Sequence, residues 1–156
     1  MGKFTPGRTK VQDIDIGAAG QSNVPVEGTW TSIPRIAKVT YDFAVDGGGV
    51  GNKNLSVSIP DNAIIVGGYI DVETDLASDG SATVGVGING AYTAFKNAAA
   101  FTDYTANGSG LILTNVAPPN RGAKVAGGAV PVGIVIGTAA LTGGKMHICV
   151  TYLAGV

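Results

Sequence analysis

The chain runs to 156 residues, enough to bury a real core in one domain, and is 45% apolar but only 13% charged. A soluble chain usually carries roughly 25% charged residues, so much of this surface is expected to meet other protein rather than water. The net charge of −1 gives no electrostatic reason to expect nucleic acid, which needs a basic stripe, and no apolar run approaches the roughly 20 residues of a membrane helix.

The N-terminus, MGKFTPGRTKVQDIDIG, lacks the apolar core of a signal peptide. Pro6 stands where myristoylation wants Ser or Thr, so synthesis in cytoplasm is expected. Across residues 1–35 the apolar positions are scattered and prolines recur at Pro6, Pro25 and Pro34. So long a structureless segment is unusual inside a compact domain. It reads either as an extended arm that gains order against a neighbour, with a short strand at VQDIDI (11–16), or as a frayed terminus.

Residues 36–156 read as a single β domain. IAKVTYDFAV puts Val39, Tyr41, Phe43 and Val45 on a core face against Lys38, Thr40 and Asp42, the period of a half-buried strand. DGGGVGNKN (46–54) follows as a glycine turn, then LSVSI (55–59) with Leu55, Val57 and Ile59 inward. Pro60-Asp61-Asn62 turns the chain into a long strand. Its apolar face is Ile64, Val66, Gly68, Ile70 and Val72, opposite Tyr69, Asp71, Glu73 and Asp75. Asp79-Gly80 supplies the two-residue turn of a hairpin, and Val84, Val86 and Ile88 return from it.

GAYTAFKNAAAF (90–101) is the one helical candidate, with Tyr92, Phe95 and Ala99 spaced by three and four among alanines. LILTNV (111–116) reads as a strand and APPNRGAK (117–124) as a loop. VPVGIVIG (130–137) and KMHICVTYL (145–153) close the chain as strands joined through Leu141 to Gly144. Short strands with turns between them predict an all-β fold. The expected architecture is an antiparallel β-sandwich of jelly-roll type with one short helix and an N-terminal arm.

Few residues carry chemistry. Gly85-Val-Gly87-Ile-Asn-Gly90 matches a dinucleotide fingerprint, yet Val84, Val86 and Ile88 keep strict alternation through it, so it reads as strand and no cofactor is expected. Asp71, Glu73 and Asp75 read as a solvated strand face, and Asp13 with Asp15 as a similar pair; neither has the spacing of a calcium loop. The single cysteine permits neither an intrachain disulfide nor a Cys-based zinc site, so no metal is expected. His147 is the only histidine and shares a strand face with Cys149, with no third group in view to orient it as a base. Cys149 reads as a small buried hydrophobe, and the chain as a non-enzyme.

Val39-Thr-Tyr-Asp-Phe-Ala-Val45, the glycine turn after Asp46, Leu55-Ser-Val-Ser-Ile-Pro-Asp-Asn-Ala-Ile-Ile65 and the closing Leu141-Thr-Gly-Gly-Lys145 strand can be taken together. They resemble small virion proteins of tailed bacteriophages, among them capsid decoration (cement) and other minor structural proteins. The resemblance spans about residues 36–90 and the last hairpin from Val130. It implies a jelly-roll-like domain, often a trimer, that sits on the outside of the virion and braces the major capsid protein. The expected capsid contacts are Val11, Ile14, Ile16 and Trp30 of the arm, then loops 46–54 and 117–124. The alternative is a tail or fibre adhesin for a host glycan, for which Tyr92, Tyr104 and Asn107 would have to cluster at one end.

Overall fold

A sheet that is apolar on one face has to bury that face against another layer, and this chain does so by dividing its strands between two antiparallel sheets. The computed structural model describes residues 33–106, 111–116 and 123–154. In the first sheet β1 (Pro34–Asp42), β9 (Gly143–Leu153) and β3 (Ile64–Ala77) lie side by side, and β3 also pairs with two short pieces, β6 (Leu111–Ile112) and β7 (Ala123–Lys124). The second sheet runs β2 (Gly51–Ile59), β8 (Val130–Gly137), β4 (Thr83–Ile88), β5 (Ala91–Ala100).

The inner faces close on each other as one core. Tyr41, Ile70 and Ile148 from the first sheet meet Val84, Val86 and Ile134 from the second, all wholly buried. Tyr104 completes the core from the segment after β5. Its hydroxyl donates to the Val84 carbonyl at 2.7 Å, and burial holds its ionisation far above the ordinary tyrosine range. Tyr41 donates to the Gly47 carbonyl at 3.0 Å, and burial, then Asp46 and Asp42, push its pKa up to about 12.

Several expectations are corrected. Asp79-Gly80 is not a hairpin turn, because β3 and β4 belong to different sheets and residues 78–82 cross between them. The apolar face of β3 does not begin at Ile64. Ile65 is the buried residue, and a bulge between Ile65 and Gly67 resets the alternation so that Ile70 and Val72 point inward. Residues 111–116 are strand only at Leu111–Ile112, after which Thr114–Val116 form a 3-10 turn. The glycine turn is shorter than 46–54, since β2 starts at Gly51.

The short helix is also elsewhere. Residues 91–100 form β5, and the one α-helical turn is α1 (Phe43–Asp46). In β5 the register passes from Ile88↔Ala91 to Val86↔Lys96 and Val84↔Ala99. The extra residues of that bulge give Phe95 and Ala99 a helical spacing within a strand. Alanine's helix preference, at most a few tenths of a kcal/mol per residue over most residues, yields to pairing along a whole ladder. At α1 the Asp42 carboxylate caps the Ala44 amide and Gly47 adopts φ 69 to close the turn, which turns Val45 out of the core to 82% exposure.

The bulged part of β5 folds over the outer face of its own sheet, which is why the fingerprint glycines are there. A side chain on Gly87 would collide with the Ala91 carbonyl, and a Cβ on Gly133 would come to 2.7 Å from the Tyr92 ring and 2.8 Å from the Lys53 carbonyl. Tyr92 is then pinned across Gly133, its hydroxyl 2.8 Å from Asn54 Oδ1 and 2.8 Å from Asn89 Oδ1. Replacing Gly133 with Ala is therefore expected to destabilise the fold by about 1–3 kcal/mol through overpacking, measured by urea unfolding. An unchanged midpoint would show that Tyr92 swings aside freely.

Candidate functional site

With one face of each sheet committed to the core, what can act on other molecules is the remaining outer faces and the loop tips. The outer face of the first sheet is divided along its strands. At one end, cross-strand neighbours are apolar: Pro34 lies opposite Leu153, and Leu153 opposite Ile64. The next rows hold Ile36 beside Thr151, and Lys38, Cys149, Tyr69 and Ile112 in succession across four strands. Ile36, Tyr69 and Ile112 are 62%, 46% and 64% exposed. Cys149 is buried even on this face. The hydroxyl of Tyr69 is held above the ordinary tyrosine range chiefly by the neighbouring Cys149 side chain.

The other end is polar. Thr40 Oγ1 lies 2.8 Å from His147 Nδ1, His147 Nε2 lies 3.0 Å from Glu73 Oε2, and Lys145 Nζ lies 3.1 Å from Glu73 Oε1. An ionised carboxylate only accepts, so Nε2 is the donor to Glu73, and in the neutral ring Nδ1 accepts from the Thr40 hydroxyl. The Lys145 hydrogen bond is the largest cause holding Glu73 below the ordinary carboxylate range, with His147 adding to it. Sequence reading found no group to orient His147. Thr40 and Glu73 do so from β1 and β3, a cross-strand relation that no sequence spacing announces. The row joins three strands on an open sheet face, and its evident action is to clamp β1, β9 and β3 in register.

The β1–β2 connection is a fixed tip. Asp46 accepts from the Asp42 amide at 2.9 Å, Lys53 Nζ donates to the Asp46 carbonyl at 3.0 Å, and the Leu141 amide donates to the Gly48 carbonyl at 2.9 Å. With its polar groups so engaged, the tip presents Val45 and Val50, 82% and 61% exposed.

Of the residues singled out from sequence, Val11, Ile14, Ile16 and Trp30 lie outside the described residues, as do Asp13, Asp15 and most of loop 117–124. Asp71, Glu73 and Asp75 are exposed on β3 as read, with Asp75 accepting from the Ala106 amide. Among the described residues no three His, Cys, Asp or Glu side chains converge as metal ligands. The aromatic cluster of the adhesin reading does not assemble: Tyr104 is wholly buried, Tyr92 is pinned at Gly133, and Asn107 is outside the described residues.

No protein-family model and no curated protein matches the chain. Among solved structures, it is similar to a chain of the cyanophage Pam1 capsid asymmetric unit, with a TM-score of 0.60 and 20% identity, over 89% of this chain and 98% of that one. A second likeness, to a chain of the acid-stable capsid of Helicobacter pylori bacteriophage KHP30, has a TM-score of 0.45 and 22% identity, over 80% of this chain and 90% of that one. The Pam1 likeness establishes a shared fold over nearly the whole of both chains.

Because the folded-state pKa of Glu73 is lowered, its contribution to stability is fully present above the unfolded carboxylate value, about 4.3, and is lost as pH falls through the folded value. Glu73→Gln is therefore expected to be less stable than the parent near pH 7, with the two converging in acid. Urea midpoints across a pH series measure this, and a gap that persists in strong acid would mean that the row acts through packing instead of charge.

Proposed function

We propose that this chain is a bacteriophage virion structural protein, and more narrowly a capsid decoration (cement) subunit that binds the assembled shell and stabilises it. The observation that carries the reading is the fold shared with a chain of the Pam1 capsid over 98% of that chain. Composition supports it: 13% charged residues suit a surface that mostly meets protein. The strand order supports the jelly-roll form. With β6 and β7 counted as one interrupted strand, the sheets interleave as two Greek keys closed by the pairing of the first strand with the last.

In this reading the partner is the major capsid protein, the location is the outer surface of the virion, and the chain is not an enzyme. Residues 1–35 serve as an arm, and Val11, Ile14, Ile16 and Trp30 are its shell contacts. A segment that orders on binding covers a large area for its length. The mechanism is mass action, since a protein that binds the closed shell but not its dissociated subunits raises shell stability with its own concentration. Several copies bound at once multiply the effect.

The test is co-sedimentation of the purified chain with shells of the parent phage, read together with Trp30 emission. Trp30 is the only tryptophan, so binding through the arm is expected to shift its emission to the blue. Ile14→Asp with Trp30→Ala is expected to weaken shell binding at least about tenfold, the loss typical of a buried anchor. Copy number in virions by quantitative mass spectrometry separates the rivals. A simple ratio to the major capsid protein fits a shell-wide role, and a few copies per particle would move the assignment to the tail.

A further inference from the structure

We propose that the apolar end of the outer face of the β1-β9-β3-β6 sheet, with the cations around it, seats an apolar surface of another protein that is bordered by carboxylates. The inference rests on the reading above and deepens it, because it makes that partner the capsid shell. Pro34, Leu153 and Ile64 form the first row of this end, and Ile36, Tyr69 and Ile112 stand exposed in the rows behind it. Among the described residues, these three are all the exposed large hydrophobics that any strand carries.

The same end carries the unengaged cations. The described residues include six Lys and Arg side chains. Three are occupied elsewhere: Lys53 donates to the Asp46 carbonyl, Lys145 pairs with Glu73, and Lys96 lies over the Tyr104 ring. The other three, Arg35, Lys38 and Lys124, are exposed and form no ion pair among the described residues. Lys38 shares the row of Cys149, Tyr69 and Ile112, Lys124 lies opposite Ile64, and Arg35 lies opposite Tyr152. Asp61, at the turn before β3, already accepts from the Gly128 amide at 3.1 Å and from the Asn62 side chain at 3.0 Å. Along the outer face of β3 carboxylates begin only beyond Tyr69, at Asp71 and Glu73, and Glu73 is held by Lys145 and His147. An apolar patch bordered by free cations is complementary to an apolar patch bordered by carboxylates.

Size decides what can occupy it. Four strands at about 4.8 Å spacing and the five residues from Pro34 to Lys38 at about 3.4 Å give on the order of 300 Å². A second copy seated end on end would bury about 600 Å² in total, half the lower limit of roughly 1,200 Å² for a specific interface. It would also gather the cations of both copies at one seam. The occupant is therefore a surface that the chain grips elsewhere as well. β1 begins at Pro34, in the first row of the patch, so the arm of the shell reading is tethered at its border. Arm and patch then act as linked contacts, and the second engages at the effective concentration set by the first.

Binding of the full chain to parent-phage shells stripped of it, over a salt series, tests this. Tyr69→Glu is expected to weaken shell binding at least about tenfold, with an unchanged circular dichroism spectrum. Lys38→Glu is expected to weaken it about threefold or more and to flatten its fall with salt, as loss of an attractive rim charge does. Asp79→Lys, a charge reversal beyond the far end of β3, should leave binding within about twofold of the parent. Hydroxyl-radical footprinting of the parent chain on shells gives a readout free of folding defects: Ile36 and Tyr69 should be protected while Val45 stays open. A parent chain that does not bind shells would overturn the shell reading and this inference together. A parent that binds while both patch variants bind as well, or that leaves Tyr69 open on the shell, would overturn this inference alone. So would a free Tyr69→Glu chain whose oligomeric state differs from the parent's, since the patch would then join copies.

Discussion

The pairing of β3 with β9 is the constraint on which the rest of the structure depends. It sets Ile70 against Ile148 and Asp71 against His147, so that one side of the pair is wholly apolar and the other carries nearly all the chemistry of the face. A slip of one residue would exchange those sides, driving Asp71 and His147 into the core and Ile70 and Ile148 into water. Register is therefore fixed by the cost of that exchange, and the row from Thr40 to Lys145 adds a second specification from outside. The bulges in β3 are local adjustments that let a strand of 14 residues curve while keeping this pairing.

Around that pair the second sheet solves a different problem. Its outer face is covered not by another layer but by its own edge strand, which bulges back over Gly85 and Gly87 and lays Tyr92 across Gly133. Glycine is required there because backbone passes against backbone, leaving no room for a Cβ. The edge is further covered by Asn115, whose amide donates to the Thr93 carbonyl at 2.8 Å and to Asn97 Oδ1 at 2.9 Å. An edge occupied in this way is a poor template for unwanted strand pairing. Among the described residues, the exposed large hydrophobics of the sheets and tips therefore fall on the first sheet and on the rigid tip that carries Val45 and Val50.

Such a body suits a protein whose work is contact. Its scaffold holds apolar groups at the surface without letting them collapse inward, and on the outer face of the first sheet Glu73 is engaged with Lys145 and His147. In the proposed role on a phage shell, which offers many copies of one binding surface, modest affinity per contact is enough when copies act together. The fold shared with a Pam1 capsid chain is the ground on which that role is proposed.

Alternation alone determined that the chain is all β, that Val39 and Tyr41 face inward, and that Asp71 and Glu73 face solvent. These are properties of single strands, and period two records them directly. The glycine fingerprint at 85–90 was legible as strand for the same reason. Only the tertiary structure decided which strands share a sheet, and so that Asp79-Gly80 crosses between sheets instead of closing a hairpin. It also decided that 91–100 is a bulged edge strand, because a bulge counterfeits helical spacing and alanine's weak preference cannot hold against a ladder. The row of Thr40, His147 and Glu73 could not be read from the chain at all. Its members lie up to 107 residues apart in sequence, and what joins them is adjacency across strands, which sequence order does not encode.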